Sequence, residues 1–193
     1  MPVACIVEGH GEVEALPVLL DRLSAWLLPE GYRAVARPPL RTRKDRFLNK
    51  DAEFDRFVGL AGSKAGAEGS VLILLDADDD CPAELGRDVL ERARRLLPNL
   101  PVSVVIANRE FEAWFLAAAA SLDEPDAFES SRWTGDDPEA PRNAKGKLAL
   151  CLGRSYREIQ DQPAFASRMD LAAARLASRS FRKLCDDWTK LSG

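Results

Sequence analysis

The sequence predicts an α/β fold, a mostly parallel sheet flanked by helices and followed by a helical C-terminal extension. Three observations predict it. Pro2–Val7, residues 70–75 (SVLILL) and Val102–Ala107 are short, nearly unbroken apolar runs, as expected of strands buried on both faces. The segments between them carry apolar residues at helical spacing, and strands alternating with helices of this length argue for βαβ units. Beyond residue 121 the strand pattern stops, and only short helical segments recur.

Taken in order, the first strand is bounded by Gly9 and Gly11. The helix after it places Val13, Leu16, Leu20, Leu23 and Leu27 on one face. Pro17 has no N–H to donate, so the regular helix is expected to begin close to it or to kink in its first turn. Residues 32–36 read as a second strand, and Asp51–Ala65 as a helix stopped by Gly66 and Gly69. Residues 82–97 form a helix with Pro82 at its start. Val102–Ala107 is the fourth strand, and residues 109–121 are helical. A Pro-, Asp- and Glu-rich stretch to about residue 142 precedes helical segments near 145–152, 169–177 and 181–191. The expected organisation is a core of residues 1–121 and an extension of residues 122–193 packed on it as a single domain overall.

With 193 residues, 46% apolar and 30% charged, the chain has the composition of an ordinary globular protein. No run of about 18 apolar residues exists, which excludes a transmembrane helix. The start runs directly into a strand with no basic region ahead of it, unlike a signal peptide, so a cytoplasmic location is expected. The four cysteines are widely spaced and His10 is the only histidine; a structural zinc site is not expected, and free thiols are.

The net charge of −4 is unevenly spread. Residues 33–50 hold seven basic side chains against Asp45, whereas residues 122–140 hold seven acids against Arg132. Screening confines surface fields to about 10 Å, so a local basic segment can bind phosphates in an acidic protein. Arg41, Arg43, Lys44 and Arg46 are the candidate nucleic-acid contacts; a solvated loop is the plain alternative.

Two acidic groups stand at strand ends. Glu8 and Glu12 follow the first strand, and Asp76, Asp78, Asp79 and Asp80 follow SVLILL. In a parallel sheet both ends open on the same edge. In an extended segment Asp76 and Asp78 share a side, and with Asp80 they could present carboxylates to one point. Clustered carboxylates repel unless a cation neutralises them, and all-oxygen ligation suits Mg²⁺ or Mn²⁺. The glycines beside Glu8 would allow close approach of a phosphate or a positive φ. GHGEVE does not complete GxGxxG, and GxxxxGK[ST] is absent, which disfavours a nicotinamide cofactor and an ATPase. Phe111, Trp114 and Phe115 fit core packing. Glu110 and Glu112 could reach the acidic edge or merely start a helix. His10 reads as a loop residue and Cys81 as inert.

Glu8-Gly9, Leu16-Pro17 and Asp76-x-Asp78 resemble the TOPRIM domain of topoisomerases, primases and OLD-type nucleases. Residues 107–115 (ANREFEAWF), Lys145-Gly146, Asp161-Gln162-Pro163, Asp170 and Ser178-Arg179-Ser180-Phe181 resemble the domain of unknown function 4276 family, a TOPRIM-like group. The resemblance spans essentially the whole chain and implies a TOPRIM/Rossmann-like sheet. It further implies that Asp76 and Asp78 ligate Mg²⁺, that Glu8 is a ligand or general base, and that Glu12 and Asp80 support them, with Asp80 as a further ligand. Lys145 is the candidate cation for charge on the phosphate, with Lys147 and Arg109 behind it; Arg109 and Glu112 are further support residues of the site. Tyr32 and Tyr156 are the only tyrosines, and neither is placed in sequence beside a strand-end acid, which disfavours a covalent tyrosine intermediate. A HAD-type phosphatase would carry its DxD after the first strand. The expected function is a Mg²⁺-dependent nuclease on DNA or RNA, an effector in antiphage or plasmid defence with an ABC-type ATPase partner. The alternative is a non-catalytic module that binds nucleic acid or such an ATPase.

Overall fold

Five strands lie parallel in one sheet, in a computed structural model that describes residues 1–28 and 34–192. The first strand, β1 (Pro2–Val7), is followed by helix α1 (His10–Leu27). Short strands β2 (Val35–Ala36) and β3 (Leu40–Arg41) both pair with β1, β2 beside Pro2 and Val3 and β3 beside Ile6 and Val7. They are one edge strand interrupted at Pro38 and Pro39, residues that cannot donate to a ladder. Helices α2 (Lys44–Asn49) and α3 (Asp51–Ala65) lead to the central strand β4 (Ser70–Asp76), and α4 (Pro82–Leu96) leads to β5 (Val102–Ala107). The sheet order is β2-β1-β4-β5, so β5 is an edge strand.

Alternation along the strands divides the core in two. Ala4, Ile6, Val71, Ile73, Val104 and Ile106 pack beneath α2–α4 with Phe47, Phe54 and Val58. Val3, Cys5, Val7, Leu72, Leu74 and Val105 pack on the other face against α1 and the C-terminal helices. Those helices are α5 (Ala113–Ala117), α6 (Ala144–Leu152), α7 (Glu158–Arg168), α8 (Leu171–Ala177) and α9 (Arg179–Ser192). Trp114 and Phe181 meet edge to face at 5.3 Å, and Phe115 and Phe165 at 5.4 Å, an arrangement that aligns positive ring edges with negative faces. All four cysteines are free. No helix among the described residues is long and apolar enough to cross a membrane.

The expected α/β class holds, and several element boundaries are corrected. Helix α1 begins at His10 and continues through Pro17 rather than starting beside it. The second strand is reduced to Val35–Ala36; Tyr32 and Arg33 of the expected segment lie outside the described residues. Strand β3 and helices α2 and α7 were not expected. Helix α7 runs through Pro163. The helix expected over residues 109–121 shrinks to α5 and a 3₁₀ turn at Ala119–Leu122. Arg109 has a φ of 66°, and the Phe111 N–H is donated to Asp76 at 2.8 Å, so the start of that segment serves the sheet edge.

Candidate functional site

The carboxyl edge of the sheet collects acids from three strand ends. Asp76 closes β4, in register with Ala107 on β5. Its Oδ1 accepts the Phe111 N–H at 2.8 Å. Glu8 follows β1, and its Oε2 is buried without a hydrogen-bond partner. Glu12 is buried in the first turn of α1 and accepts the backbone N–H groups of Gly9 at 3.0 Å and Glu8 at 3.1 Å. Glu112 is completely buried; Gln162 Nε2 on α7 donates to its Oε1 at 2.7 Å, while its Oε2 has no partner. Gln162 Oε1 is likewise buried and unpartnered.

These carboxyls hold their protons more tightly than usual. Burial pushes Glu12 up to about 7, with Glu112 and Glu8 adding repulsion. Burial also raises Asp76 well above its ordinary value, followed by the charges of Glu12, Glu112 and Glu8. Glu8 is raised by burial and by Asp78, and Glu112 chiefly by burial. Removing water penalises the anions, and each nearby anion adds to the cost.

The counter-charge is Lys145, near the start of α6. Its Nζ lies 2.7 Å from Glu158 Oε1 on α7, and its backbone N–H donates to Glu110 Oε2 at 3.2 Å. Burial lowers the Lys145 pKa, but Glu112, Glu158 and Asp76 outweigh it and hold the ammonium above the ordinary lysine value. Lysine is therefore the cation that faces the acid cluster, brought there from far along the chain.

The aspartates after Asp76 divide. Asp78 has a φ of 52°, so the extended alternation that would have put it on the side of Asp76 ends at Ala77. Its carboxylate lies 2.7 Å from Lys44 Nζ, and Asp80 lies 3.2 Å from the same ammonium. Asp79 pairs with Arg109 at 2.9 Å and Arg142 at 3.2 Å. Asp78 still touches the site electrostatically, because it raises Glu8. Arg109 also donates to Asp78 O at 2.9 Å, which stabilises the turn. Arg41, Arg43 and Arg46 are exposed, with Arg41 beside Val7 in the β1–β3 ladder. Lys44 is buried and committed to Asp78, Asp80 and Ala77 O. His10 is exposed at the start of α1, and Cys81 is exposed just before α4. Tyr156 sits close enough to Glu112 and Asp161 for their charges to reinforce the effect of burial in raising its phenol.

Several motif residues prove architectural. Neither Gly9 nor Gly11 has a positive φ. A Cβ at Gly9 would stand 2.7 Å from Glu12 Oε1, and one at Gly11 2.3 Å from Gln162 Oε1, so both glycines admit site side chains. Asp161 is clamped by Arg154 at 2.7 Å and by the Arg157 N–H at 2.7 Å. Asp170 caps α8 through the N–H groups of Ala172 and Ala173. Ser178 and Ser180 both donate 2.6 Å hydrogen bonds to the buried Glu139, and Trp114 Nε1 donates to Ser180 at 2.8 Å. Gln162 is the site residue that sequence reasoning passed over. The available signal was its place beside Asp161 in the quoted motif.

The side chains gathered at this edge offer mainly carboxylate oxygens, two of them buried and unpaired, the donor chemistry a hard divalent cation takes. Among the described residues no three Asp, Glu, His or Cys side chains are drawn close enough together to enclose an ion.

Fold and site define a parallel α/β protein with a partly buried carboxylate-and-lysine centre at the carboxyl edge of its sheet. The chain belongs to the family described as a domain of unknown function, DUF4276, whose model matches residues 7–187. Comparison with curated proteins gave no match, and comparison with solved structures gave none.

Proposed function

We propose that this protein is a Mg²⁺- or Mn²⁺-dependent nuclease that hydrolyses phosphodiester bonds in DNA or RNA. The observation that carries the reading is the convergence of Glu8, Glu12, Asp76 and Glu112 from three strand ends, each with a raised pKa, around Lys145. A divalent cation bound there would acidify a water and offset charge on the phosphate. Glu8, partly buried and with a free Oε2, is suited to take a proton from that water. Lys145 stays protonated and can balance charge developing on a phosphate oxygen. Arg41, Arg43 and Arg46 hold the nucleic-acid backbone along the neighbouring edge.

The relation to TOPRIM and OLD-type nucleases, the role in antiphage or plasmid defence and the ABC-type ATPase partner rest on the motif resemblance alone. One observation favours the second reading, a non-catalytic binding module: Lys44 already neutralises Asp78 and Asp80, where the DxD motif would require a metal. The test is cleavage of duplex DNA, single-stranded DNA and RNA with Mg²⁺ or Mn²⁺, with and without an ABC-type ATPase. The nuclease reading expects metal-dependent cleavage that Glu8→Gln abolishes and Lys145→Ala strongly reduces. Binding without cleavage in every condition would establish the module instead.

A further inference from the structure

Helix α7 meets the acidic centre through two residues one turn apart. Side chains at i and i+4 of a helix share a face, and on α7 that face carries Glu158 and Gln162. Glu158 Oε1 lies 2.7 Å from Lys145 Nζ on α6. Gln162 Nε2 donates at 2.7 Å to Oε1 of Glu112, in the segment between β5 and α5. Gly11 in the first turn of α1 admits this face, because a Cβ there would run into the Gln162 side chain and stand 2.8 Å from the Glu158 carbonyl oxygen. The start of α7 is anchored in turn by Asp161, which accepts from Arg154 and from the Arg157 N–H.

Each of these α7 residues takes one member of a charge pair that does not form. Lys145 and Glu112 stand near enough for each to shift the other's hold on its proton, and opposite charges attract strongly where water is scarce. Among the described residues, however, no ion pair or hydrogen bond joins them: Lys145 Nζ pairs with Glu158, and Glu112 Oε2 is buried without a partner. A buried oxygen left unsatisfied is costly, and closing onto Lys145 would relieve that cost. Helix α7 opposes the closure from both sides. The ammonium is drawn toward half-exposed Glu158, and the carboxylate is held by buried Gln162.

We propose that Glu158 and Gln162 are positioning residues that keep Lys145 and Glu112 from collapsing into a closed ion pair. The inference rests on the reading of this centre as a catalytic one. A pair buried away from water is hard to break once formed, so an ammonium locked on Glu112 would already be neutralised when a phosphate arrived. The pair with half-exposed Glu158 is screened by solvent and readily exchanged, which leaves Lys145 free to turn to a phosphate oxygen. Glu112 meanwhile keeps its Oε2 uncommitted.

The test pairs structure with rate. Glu158→Gln frees the ammonium, and Gln162→Met, close in volume, removes the amide donor. Crystal structures of both variants should show Lys145 Nζ in direct contact with Glu112. Cleavage of duplex DNA with Mn²⁺ should fall by about tenfold or more in kcat while KM changes less than about twofold, the pattern of an interaction lost from the transition state alone. Glu158→Asp, which keeps a carboxylate for Lys145, should recover most of the rate that Glu158→Gln loses. Lys145 and Glu112 still apart in both variant structures would overturn the proposal, and so would an unchanged kcat in both variants. If the unaltered protein cleaves nothing, the nuclease reading fails by itself, and the two variant structures still decide whether α7 holds the charges apart.

Discussion

Lys44 Nζ lies 2.7 Å from Asp78 Oδ2, and the two are joined across the loops that follow β3 and β4. The lysine is buried whereas Asp78 is largely exposed, so the ammonium is held from inside by Ala77 O at 3.0 Å and reaches outward to the acids. Burial lowers its pKa, but Asp78 and Asp80 more than compensate and raise it. The internal cation thus stands where the sequence suggested an external one.

Replacing Lys44 by Met should release Asp78 and Asp80. If these acids belong to a cation site, calorimetry will show Mn²⁺ binding severalfold tighter in Lys44→Met. Unchanged affinity would leave Asp78 and Asp80 outside any cation site.

Asp76→Ala should weaken Mn²⁺ binding by well over tenfold, equivalent to about 1.4 kcal/mol or more. The affinity of the unaltered protein should also depend on pH. Glu12, raised to about 7, and Asp76, raised well above its ordinary value, hold protons in mildly acidic solution, and a cation must displace them. Affinity should climb as pH rises through about 7, where Glu12 gives up its proton, as read by calorimetry at a series of pH values.

Arg41→Ala, Arg43→Ala and Arg46→Ala together should flatten the dependence of log K on log salt for duplex DNA by about 2.7 units, since each neutralised phosphate contributes roughly 0.9. Lys44→Ala should leave that slope nearly unchanged, because its ammonium is already paired within the protein. Filter binding across a salt series distinguishes the two variants.

Glu139 supplies a stability prediction of opposite sign to the active-edge acids. Burial alone would raise its pKa, but hydrogen bonds from Ser178, Ser180 and Asn108 lower it overall. A carboxyl with a depressed folded pKa contributes stability that is present above its unfolded value and lost as pH falls through the folded one. Glu139→Gln should therefore cost roughly 1.5–3 kcal/mol near pH 7, the range for hydrogen bonds to a charged group. Thermal unfolding of the two proteins should converge as pH drops below about 4.5, near the ordinary glutamate value.

Much of the framework was legible in the sequence. β1, the core of β4 and β5 are apolar runs that only burial on both faces makes favourable, and their period carried them regardless of context. Glu8 and Asp76 were legible too, because a polar residue ending such a run must sit at a sheet edge. Helix α7 was not read from the sequence; it carries Pro163, which has no N–H for the helix ladder, and packing against α1 supports it. The strand expected over residues 32–36 was found in part as β2, whereas the two-residue β3 had too little pattern to read.

What only the tertiary structure decided is which charge meets which. The sequence by itself determined a parallel α/β chain with acids at two strand ends and a lysine far beyond them. Folding assigned Lys44 to Asp78 and Asp80, Arg109 to Asp79, and Lys145 to Glu158 beside the buried acids. It also placed Gln162 on Glu112, across 50 residues of chain. Hydrophobic period is local and survives in any window of sequence, but charge pairing depends on distances of a few Å between segments far apart in the chain. Those distances exist only after helices α6 and α7 have packed over the sheet edge.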